Sequence, residues 1–251
     1  METRLAYGIH AVRKALAAGR AERIYLQEDL GPRRLGRLAD DLARSAVPVT
    51  PSAEAELQRL TGTAKHQGIA ALVRAGGSLS EREARDVVTA LEVPLLLVLD
   101  GIQDPRNFGS LLRTADAAGV DLVVTARNRN VVVTPVVTKV ASGAAETQPL
   151  AEVGNLARFL EHVANAGLRI VGTDGAAELS LFDADLSEPL AIVMGGEGEG
   201  LRRLTREHCN ILVRLPMRGS VESLNVAVAA GICLYECQRQ RSRLAPGTRL
   251  R

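Results

Sequence analysis

Aromatic residues, cysteines and long apolar runs are all scarce in this sequence of 251 residues. Three Phe, three Tyr and no Trp are too few for the rows of stacking rings with which RRM and single-strand OB-fold domains bind RNA. Three cysteines cannot supply a disulfide framework, which favours a reducing, cytoplasmic setting. No apolar run approaches the ~18 residues of a membrane span and no apolar segment follows the N-terminus, so we expect neither membrane insertion nor secretion.

The composition and the order of elements predict an α/β protein with two domains. Hydrophobic residues make up 46% of the chain, which excludes disorder as its main state. Residues 1–75 alternate short helices and strands and predict a small N-terminal α/β domain, within which we expect one helix over Arg33–Arg44. Residues 76–92 are the expected linker. Residues 93–251 predict a mostly parallel sheet with helices on both faces, because Leu95–Leu99 is a continuous apolar run of the kind buried in such sheets.

The charge is distributed unevenly along the chain. The net charge is +4 over residues 1–75, −9 over residues 76–200 and +7 over residues 201–251. Two basic ends around an acidic middle favour a polyanion bound at the periphery of the fold. Ordinary solvated helices rich in arginine explain the same distribution equally well.

The first loop of interest follows the Leu95–Leu99 strand and leads into a helix. Ligands of open α/β sheets collect at the carboxyl ends of the strands, so polar residues there are candidates for a site. Asn107 and Arg113 could together bind a phosphate at the start of the helix. The alternative is that Asn107 caps the helix and Arg113 is solvated.

The second and third loops also follow predicted strands. Gly195 to Gly200 holds four glycines and two glutamates. This loop matches neither of the two common glycine-rich motifs that bind phosphate. Its glycines suit the close approach of a neutral or cationic ligand or of another chain segment. The third loop begins at Leu215, and either Ser223 or Asn225 opens a long helix of small apolar residues. Those two residues could be helix caps or ligand contacts, and the helix is expected to pack on another helix or on a partner subunit.

The spacing of cysteines and histidines in the sequence does not indicate a metal site. His208-Cys209 and the Cys233/Cys237 pair do not have the spacing of a metal site. We interpret Cys233 and Cys237 as small core residues on one helix face. No metal is therefore expected.

The three loops together resemble the three motifs of the SpoU branch of the SPOUT RNA methyltransferases. The matching stretches are LDGIQDPRNFGSLLRTADAAGVD, IVMGGEGEGL and LPMRGSVESLNVAVAAGICLYE. Near the N-terminus, YGIHAVRKAL and HQGIAA resemble the extra RNA-binding domain of the members that act on ribosomal RNA. The resemblance implies a trefoil-knotted catalytic domain, a homodimer, and methylation of a guanosine ribose 2′-hydroxyl in the peptidyl-transferase loop of 23S ribosomal RNA.

The resemblance also assigns residues. It implies a methyl donor, S-adenosylmethionine, bound at Thr173, Gly195, Leu215 and Leu224. It implies a catalytic pocket formed by Asn107, Arg113, Glu197, Ser223 and Asn225. The family's proposed mechanism makes Arg113 the base, whereas a guanidinium with a pKa above ~12 is better suited to clamping a phosphate and polarising the hydroxyl; both roles stay open here.

The sequence is also compatible with three other functions. Transfer RNA is an alternative substrate, since the same three motifs serve in tRNA ribose methyltransferases. A non-catalytic RNA-binding factor in ribosome assembly would need only the basic ends. A nicotinamide-dependent oxidoreductase shares the α/β pattern but requires a glycine fingerprint that this chain lacks.

Overall fold

The computed structural model describes residues 3–17, 19–74, 78–127 and 131–244. The chain forms two compact units. The first consists of Met1–Gly77 with Val132–Thr147, and the second of Ser78–Val131 with Gln148–Arg251. Within the expected linker, residues 76 and 77 lie outside the described residues, as do residues 245–251 of the expected second domain.

Eleven strands and eleven α-helices lie within the described residues. The strands are β1 (Thr3–Tyr7), β2 (Ala21–Gln27), β3 (Val49–Ser52), β4 (Ile69–Arg74), β5 (Leu95–Asp100), β6 (Leu122–Ala126), β7 (Leu150–Val153), β8 (Arg169–Thr173), β9 (Leu179–Ser180), β10 (Leu190–Gly195) and β11 (Ile211–Arg214). The helices are α1 (Ile9–Ala17), α2 (Pro32–Leu35), α3 (Arg37–Ala43), α4 (Glu54–Thr61), α5 (Glu81–Ala90), α6 (Pro105–Ala117), α7 (Pro135–Val140), α8 (Ala144–Thr147), α9 (Leu156–Asn165), α10 (Arg203–Glu207) and α11 (Val226–Leu244). None of the described helices is both long enough and apolar enough to cross a membrane.

The first unit is built on a four-stranded sheet in the order β1-β4-β2-β3. β4 pairs antiparallel with β1 and β2, and β2 pairs parallel with β3. Val12 of α1 and Leu38 of α3 are fully buried with Ile24 and Ile69 of the sheet, forming one core. The small N-terminal α/β fold expected from the sequence is therefore present.

The single helix expected over Arg33–Arg44 is wrong. Gly36 separates α2 from α3, and its backbone has φ +54°. A residue in the left-handed region cannot continue a right-handed helix, and glycine adopts that conformation at little cost. The chain therefore turns at Gly36 and begins a second helix.

The second unit contains a seven-stranded sheet in the order β7-β6-β5-β10-β8-β11-β9, in which each strand pairs parallel with its neighbours. All six residues of β5 are buried, as the continuous apolar run predicted. Buried side chains of α5 and α9, such as Val88 and Phe159, pack against the sheet residues Leu96 and Val98. These features confirm the predicted α/β class, while the knot implied by the resemblance stays a prediction.

Helix α5 lies in the stretch expected to be a linker. Its N-terminal capping box is formed, since the Ser80 side chain accepts a hydrogen bond from the Glu83 backbone and the Glu83 carboxylate accepts one from the Ser80 backbone. These bonds to Ser80 lower the pKa of Glu83. Ala84 and Val88 of this helix are buried in the second unit. The part of the expected linker from residue 78 onward thus belongs to the second unit, and the domain boundaries stay a prediction.

The carboxyl ends of four neighbouring strands meet at one edge of the large sheet. β5 ends at Asp100, β10 at Gly195, β8 at Thr173 and β11 at Arg214. Because these strands are parallel and adjacent, the loops that follow them lie side by side. The three loops identified in the sequence start from this edge.

Candidate active site

Asn107, Glu197 and Asn225 come from the three different loops and form one hydrogen-bonded chain. The Asn107 Nδ2 group donates to Glu197 Oε1, and the Asn225 Nδ2 group donates to Asn107 Oδ1 over 2.9 Å. The partners are 90 and 118 residues apart in sequence. The three loops therefore form a single site.

The local sequence around Asn107 leaves its side chain available for this contact. Asp104, not Asn107, caps α6: its Oδ1 accepts hydrogen bonds from the backbone of Arg106 and Asn107 over 2.6 and 3.1 Å. Pro105 occupies the first helical position, where its missing N–H costs nothing. The interpretation of Asn107 as a helix cap is therefore wrong.

Asn225 takes the helix-cap role that the sequence left open, while its contact with a ligand stays a prediction. Its Oδ1 accepts hydrogen bonds from the backbone of Ala227 and Val228 over 3.0 and 3.4 Å at the start of α11. Its Nδ2 is then directed to Asn107. The helix end thus orients this amide for the site.

The glycine loop is held against the end of β5 by Asp100, a residue that sequence reasoning missed. The Asp100 carboxylate is only 2% exposed and accepts hydrogen bonds from the Arg202 backbone over 3.1 Å and from its guanidinium over 3.2 Å. A buried charge needs such a partner. The signal for Asp100 in the sequence was an aspartate at the end of an apolar run. Nothing in the sequence indicated that its partner would be Arg202, 102 residues further along the chain.

Two of the glycines are required by close packing of the loop on itself and on its neighbour. A Cβ at Gly195 would lie 2.2 Å from the Gly200 carbonyl carbon and 2.4 Å from the Leu201 nitrogen. A Cβ at Gly196 would lie 2.6 Å from the Gly101 carbonyl oxygen. Of the two explanations offered by the sequence, the approach of another chain segment is the one observed.

A cavity of about 640 Å³, hereafter the larger cavity, opens beside this loop. Seven of the nine predicted site residues line it: Thr173, Gly195, Glu197, Leu215, Ser223, Leu224 and Asn225. Its other walls include apolar Met194, Val213 and Met217, the carboxylates of Asp174 and Glu222, and the side chain of Arg214. Asp174 is paired with Arg206. Apolar walls with several carboxylates suit a cationic ligand that also has apolar parts.

A second cavity of about 280 Å³, hereafter the smaller cavity, lies on the other side of Glu197. Asn107 lines this cavity rather than the larger one. Gly196, Glu197, Gly200 and Val226 line both. The two cavities therefore share a wall that contains a predicted catalytic carboxylate.

Arg113 is the predicted site residue that the structure does not bring to these cavities. It lies exposed on α6 and is absent from the described linings of both. Its helix packs against α11, whose start carries Asn225. Arg113 thus occupies the outer side of an element that holds the site.

Cys233 and Cys237 are buried core residues, as expected from the sequence. Burial raises the pKa of the Cys233 and Cys237 thiols to about 12, and burial likewise raises that of Cys209 to about 12. At neutral pH they are thiols rather than thiolates, and the thiolate is the nucleophile and metal ligand. Within the described ranges, no group of three or more His, Cys, Asp or Glu side chains could hold a metal ion.

The first unit has a cavity of its own, of about 480 Å³, hereafter the first-unit cavity. Tyr7, His10, Lys65 and Lys139 are among its lining residues. The Lys139 ammonium lies 5.2 Å from the centre of the Tyr7 ring and donates to the Lys65 carbonyl over 3.0 Å. Burial, together with the neighbouring charge of Lys65, lowers the pKa of Lys139. The two lysines give the cavity positive charge, which suits a phosphate backbone, whereas the Tyr7 ring is only 5% exposed and lies against Lys139.

Family models match both parts of the chain. Residues 94–235 match the model of the SpoU rRNA Methylase family. Residues 5–76 match the model described as RNA 2'-O ribose methyltransferase substrate binding. All nine predicted site residues fall within the first of these matches.

Individual proteins are similar to this chain over nearly its whole length. The 23S rRNA (guanosine-2'-O-)-methyltransferase RlmB of Pseudomonas putida is 47% identical over 94% of this chain and 96% of that protein. Its counterpart of the same name in Escherichia coli is 44% identical over 94% and 98%.

Solved structures of methyltransferases are similar to this chain in fold. The SpoU methyltransferase AviRb from Streptomyces viridochromogenes, solved in complex with the cofactor AdoMet, matches with a TM-score of 0.81 and 25% identity over 96% of this chain and 91% of that chain. An RNA 2'-O ribose methyltransferase matches with a TM-score of 0.78 and 30% identity over 97% and 90%.

Proposed function

Because this chain belongs to the SpoU rRNA methylase family, we propose that it methylates the ribose 2′-hydroxyl of a guanosine in 23S ribosomal RNA, with S-adenosylmethionine as the methyl donor. The observation that carries the proposal is the hydrogen-bonded chain of Asn107, Glu197 and Asn225, which joins the three motif loops between two adjoining cavities. A transfer reaction needs two ligands held side by side. The two cavities provide that arrangement.

The larger cavity fits S-adenosylmethionine. Leu215 and Leu224 offer apolar surface for the adenosine, and the backbone at Gly195 with Thr173 completes that wall. The carboxylates of Glu197 and Glu222 suit a ligand that carries both a sulfonium and an ammonium, whereas the Asp174 carboxylate is already paired with Arg206. The sulfonium makes the methyl group electrophilic when the donor is bound.

The residues between the cavities position the acceptor. In-line displacement requires alignment of the 2′-oxygen and loss of its proton. Asn107, itself held by Asn225, fixes the Glu197 carboxylate on the shared wall, and Ser223 also lines the larger cavity. We propose that Arg113, which is exposed on α6, clamps an RNA phosphate, because a guanidinium stays charged at all ordinary pH values and binds phosphate through two parallel hydrogen bonds.

An assay with purified protein tests the proposed function. The chain is incubated with S-adenosylmethionine and a 23S rRNA transcript, and the digested RNA is examined by mass spectrometry for 2′-O-methylguanosine. Appearance of this nucleoside in 23S rRNA, with tRNA present as a competitor, supports the proposal. Methylation of the tRNA alone would favour the alternative substrate, and no methylation at all would favour a non-catalytic RNA-binding role.

The first unit is proposed to hold the RNA. Support comes from the substrate-binding family match over residues 5–76 and from the cationic first-unit cavity. The proposal assigns RNA binding to residues 1–75 and catalysis to residues 93–251, which residues 76–92 connect along the chain while their helix α5 packs in the second unit. The whole protein is proposed to act in the cytoplasm.

We expect Lys65→Ala to weaken RNA binding and to lower the slope of log affinity against log salt by about 1, because one phosphate contact is lost. Lys65 is exposed at the first-unit cavity. Arg37→Ala, which removes an exposed charge from α3, is the matched control and should keep the wild-type slope. Filter binding at several salt concentrations measures both. A Lys65 variant with the affinity and slope of the wild type would contradict the role of this cavity.

A homodimer is also proposed, with an interface that includes residues of Val226–Tyr235. Val226, Ala230 and Cys233 pack inward, whereas Val228 and Tyr235 are 52% and 55% exposed. These two lie seven residues apart and so on one face of α11. A partner subunit on this face would cover both.

We expect the double variant Val228→Asp, Tyr235→Asp to be a monomer at micromolar concentration, since each buried interface anchor contributes about 2 kcal/mol. Light scattering measures the mass. Leu204→Asp, at an equally exposed leucine of α10, should stay dimeric. A double variant that keeps the dimer mass would place the interface elsewhere, and a monomeric, fully active wild type would exclude the dimer.

A further inference from the structure

The smaller cavity adjoins the proposed methyl-donor site and has the size of a single base. Its volume is about 280 Å³, at the lower end of the ~300–1,000 Å³ usual for ligand sites. It shares Gly196, Glu197, Gly200 and Val226 with the larger cavity. A nucleoside whose ribose stands at Glu197 would therefore have its base in the smaller cavity.

Three of the four carboxylates in the smaller cavity are already engaged. Asp100 accepts from Arg202, Asp104 accepts from the first amides of α6, and Glu197 accepts from Asn107. Glu199 lines the same cavity, and no residue in the described part of the chain donates a hydrogen bond to it. Its two oxygens are therefore available to a ligand.

The charge of the smaller cavity disfavours an anion. Four carboxylates line it against one guanidinium, that of Arg202, which is paired with Asp100, so a phosphate would be repelled. Within the described ranges no side-chain cluster suits a metal ion. A ligand that presents hydrogen-bond donors matches the carboxylate oxygens.

We propose that Glu199 selects guanine by accepting hydrogen bonds from its N1–H and N2 amino groups, an inference that rests on the proposed function and adds the means of base selection. An ionised carboxylate only accepts hydrogen bonds, through two adjacent oxygens. Guanine presents two adjacent donors on its Watson–Crick edge, whereas adenine, cytosine and uracil each present a donor next to an acceptor. Enzymes that act on an unstacked nucleotide commonly recognise this edge.

The test compares guanosine with inosine, which lacks only the N2 amino group, at the methylated position of a 23S rRNA fragment. Wild-type protein is expected to methylate guanosine with a kcat/KM about tenfold or more above that for inosine, the usual effect of one hydrogen bond to a charged group. Glu199→Gln should lose this preference, because its amide NH2 faces the guanine amino group. Titration of S-adenosylmethionine should give the wild-type affinity. Glu161→Gln, at an exposed glutamate of α9, is the matched control and should keep the preference.

The outcomes separate the inference from the function on which it rests. If Glu199→Gln keeps the wild-type preference for guanosine, base selection lies elsewhere and the inference is overturned while the methyltransferase activity stands. If the wild type does not methylate a guanosine in any 23S rRNA fragment, the proposed function fails and base selection by Glu199 fails with it. Loss of activity together with loss of S-adenosylmethionine affinity would assign Glu199 to the donor side and would also overturn the inference.

Discussion

Arg113→Ala is expected to lower the single-turnover rate of methyl transfer roughly 100- to 1,000-fold, the loss typical when one group that stabilises a transition state is removed. The affinity for S-adenosylmethionine should stay that of the wild type, because Arg113 is exposed on α6 and the larger cavity is lined by other residues. Arg113→Lys should restore activity only in part, since a lysine lacks the planar fork that binds two phosphate oxygens. Rapid-quench methylation and calorimetric titration of the donor measure the two quantities.

Arg82→Ala provides the matched control for Arg113, because Arg82 is an exposed arginine on another helix, α5. It should keep both the rate and the donor affinity. If Arg113→Ala instead weakens donor binding as strongly as it slows transfer, the assignment of Arg113 to the RNA side is wrong.

Gly195→Ala is expected to weaken S-adenosylmethionine binding roughly 10- to 100-fold, since overpacking of a filled site costs about 1–3 kcal/mol and each 1.4 kcal/mol is tenfold. The added Cβ would lie within 2.4 Å of backbone atoms of Gly200 and Leu201, so the loop must move away from the wall of the larger cavity. Gly195→Val should have a greater effect. Calorimetric titration of the donor checks the affinity, and circular dichroism shows whether the fold is kept.

Gly154→Ala is the control for the glycine substitution, because a Cβ there meets no atom of the described chain within 4 Å. It should bind the donor as the wild type does. Donor affinity unchanged in a folded Gly195→Ala variant would show that the glycine loop does not shape the donor site.

Elements that depend on neighbouring residues were predictable from the sequence. The apolar run Leu95–Leu99 forms a fully buried interior strand of a parallel sheet, because such strands have no polar face. The Ser80/Glu83 capping box was also predictable, because its two partners lie within one helical turn of each other in the sequence. The placement of the three loops at one sheet edge follows from the parallel strand order.

Contacts between distant residues were not predictable in this way. Asn107 and Asp104 both lie near the start of α6, and only the structure shows that Asp104 takes the capping role and frees Asn107 for Glu197. The pairing of Asp100 with Arg202 depends on how two loops meet. Spacing along the chain indicates which strand end a residue follows, but it carries no information on which side chains then touch.

The roles of the nine candidate residues were suggested by family resemblance and remain proposals. The structure adds their geometry: seven line the larger cavity, Asn107 faces the smaller one, and Arg113 lies outside both on α6. Under the proposed roles, this arrangement separates donor binding from contact with the RNA, and the variants of Gly195 and Arg113 test each side independently.

The most direct test of the central claim is a map of ribose methylation in the ribosomal RNA of a strain that lacks this chain. We expect one guanosine of 23S rRNA to lose its 2′-O-methyl group in that strain, to regain it when the wild-type chain is restored, and to remain unmethylated when the Arg113→Ala variant is supplied. A 23S rRNA methylation pattern identical to that of the parent strain, or a methyl group lost from tRNA instead, would contradict the account.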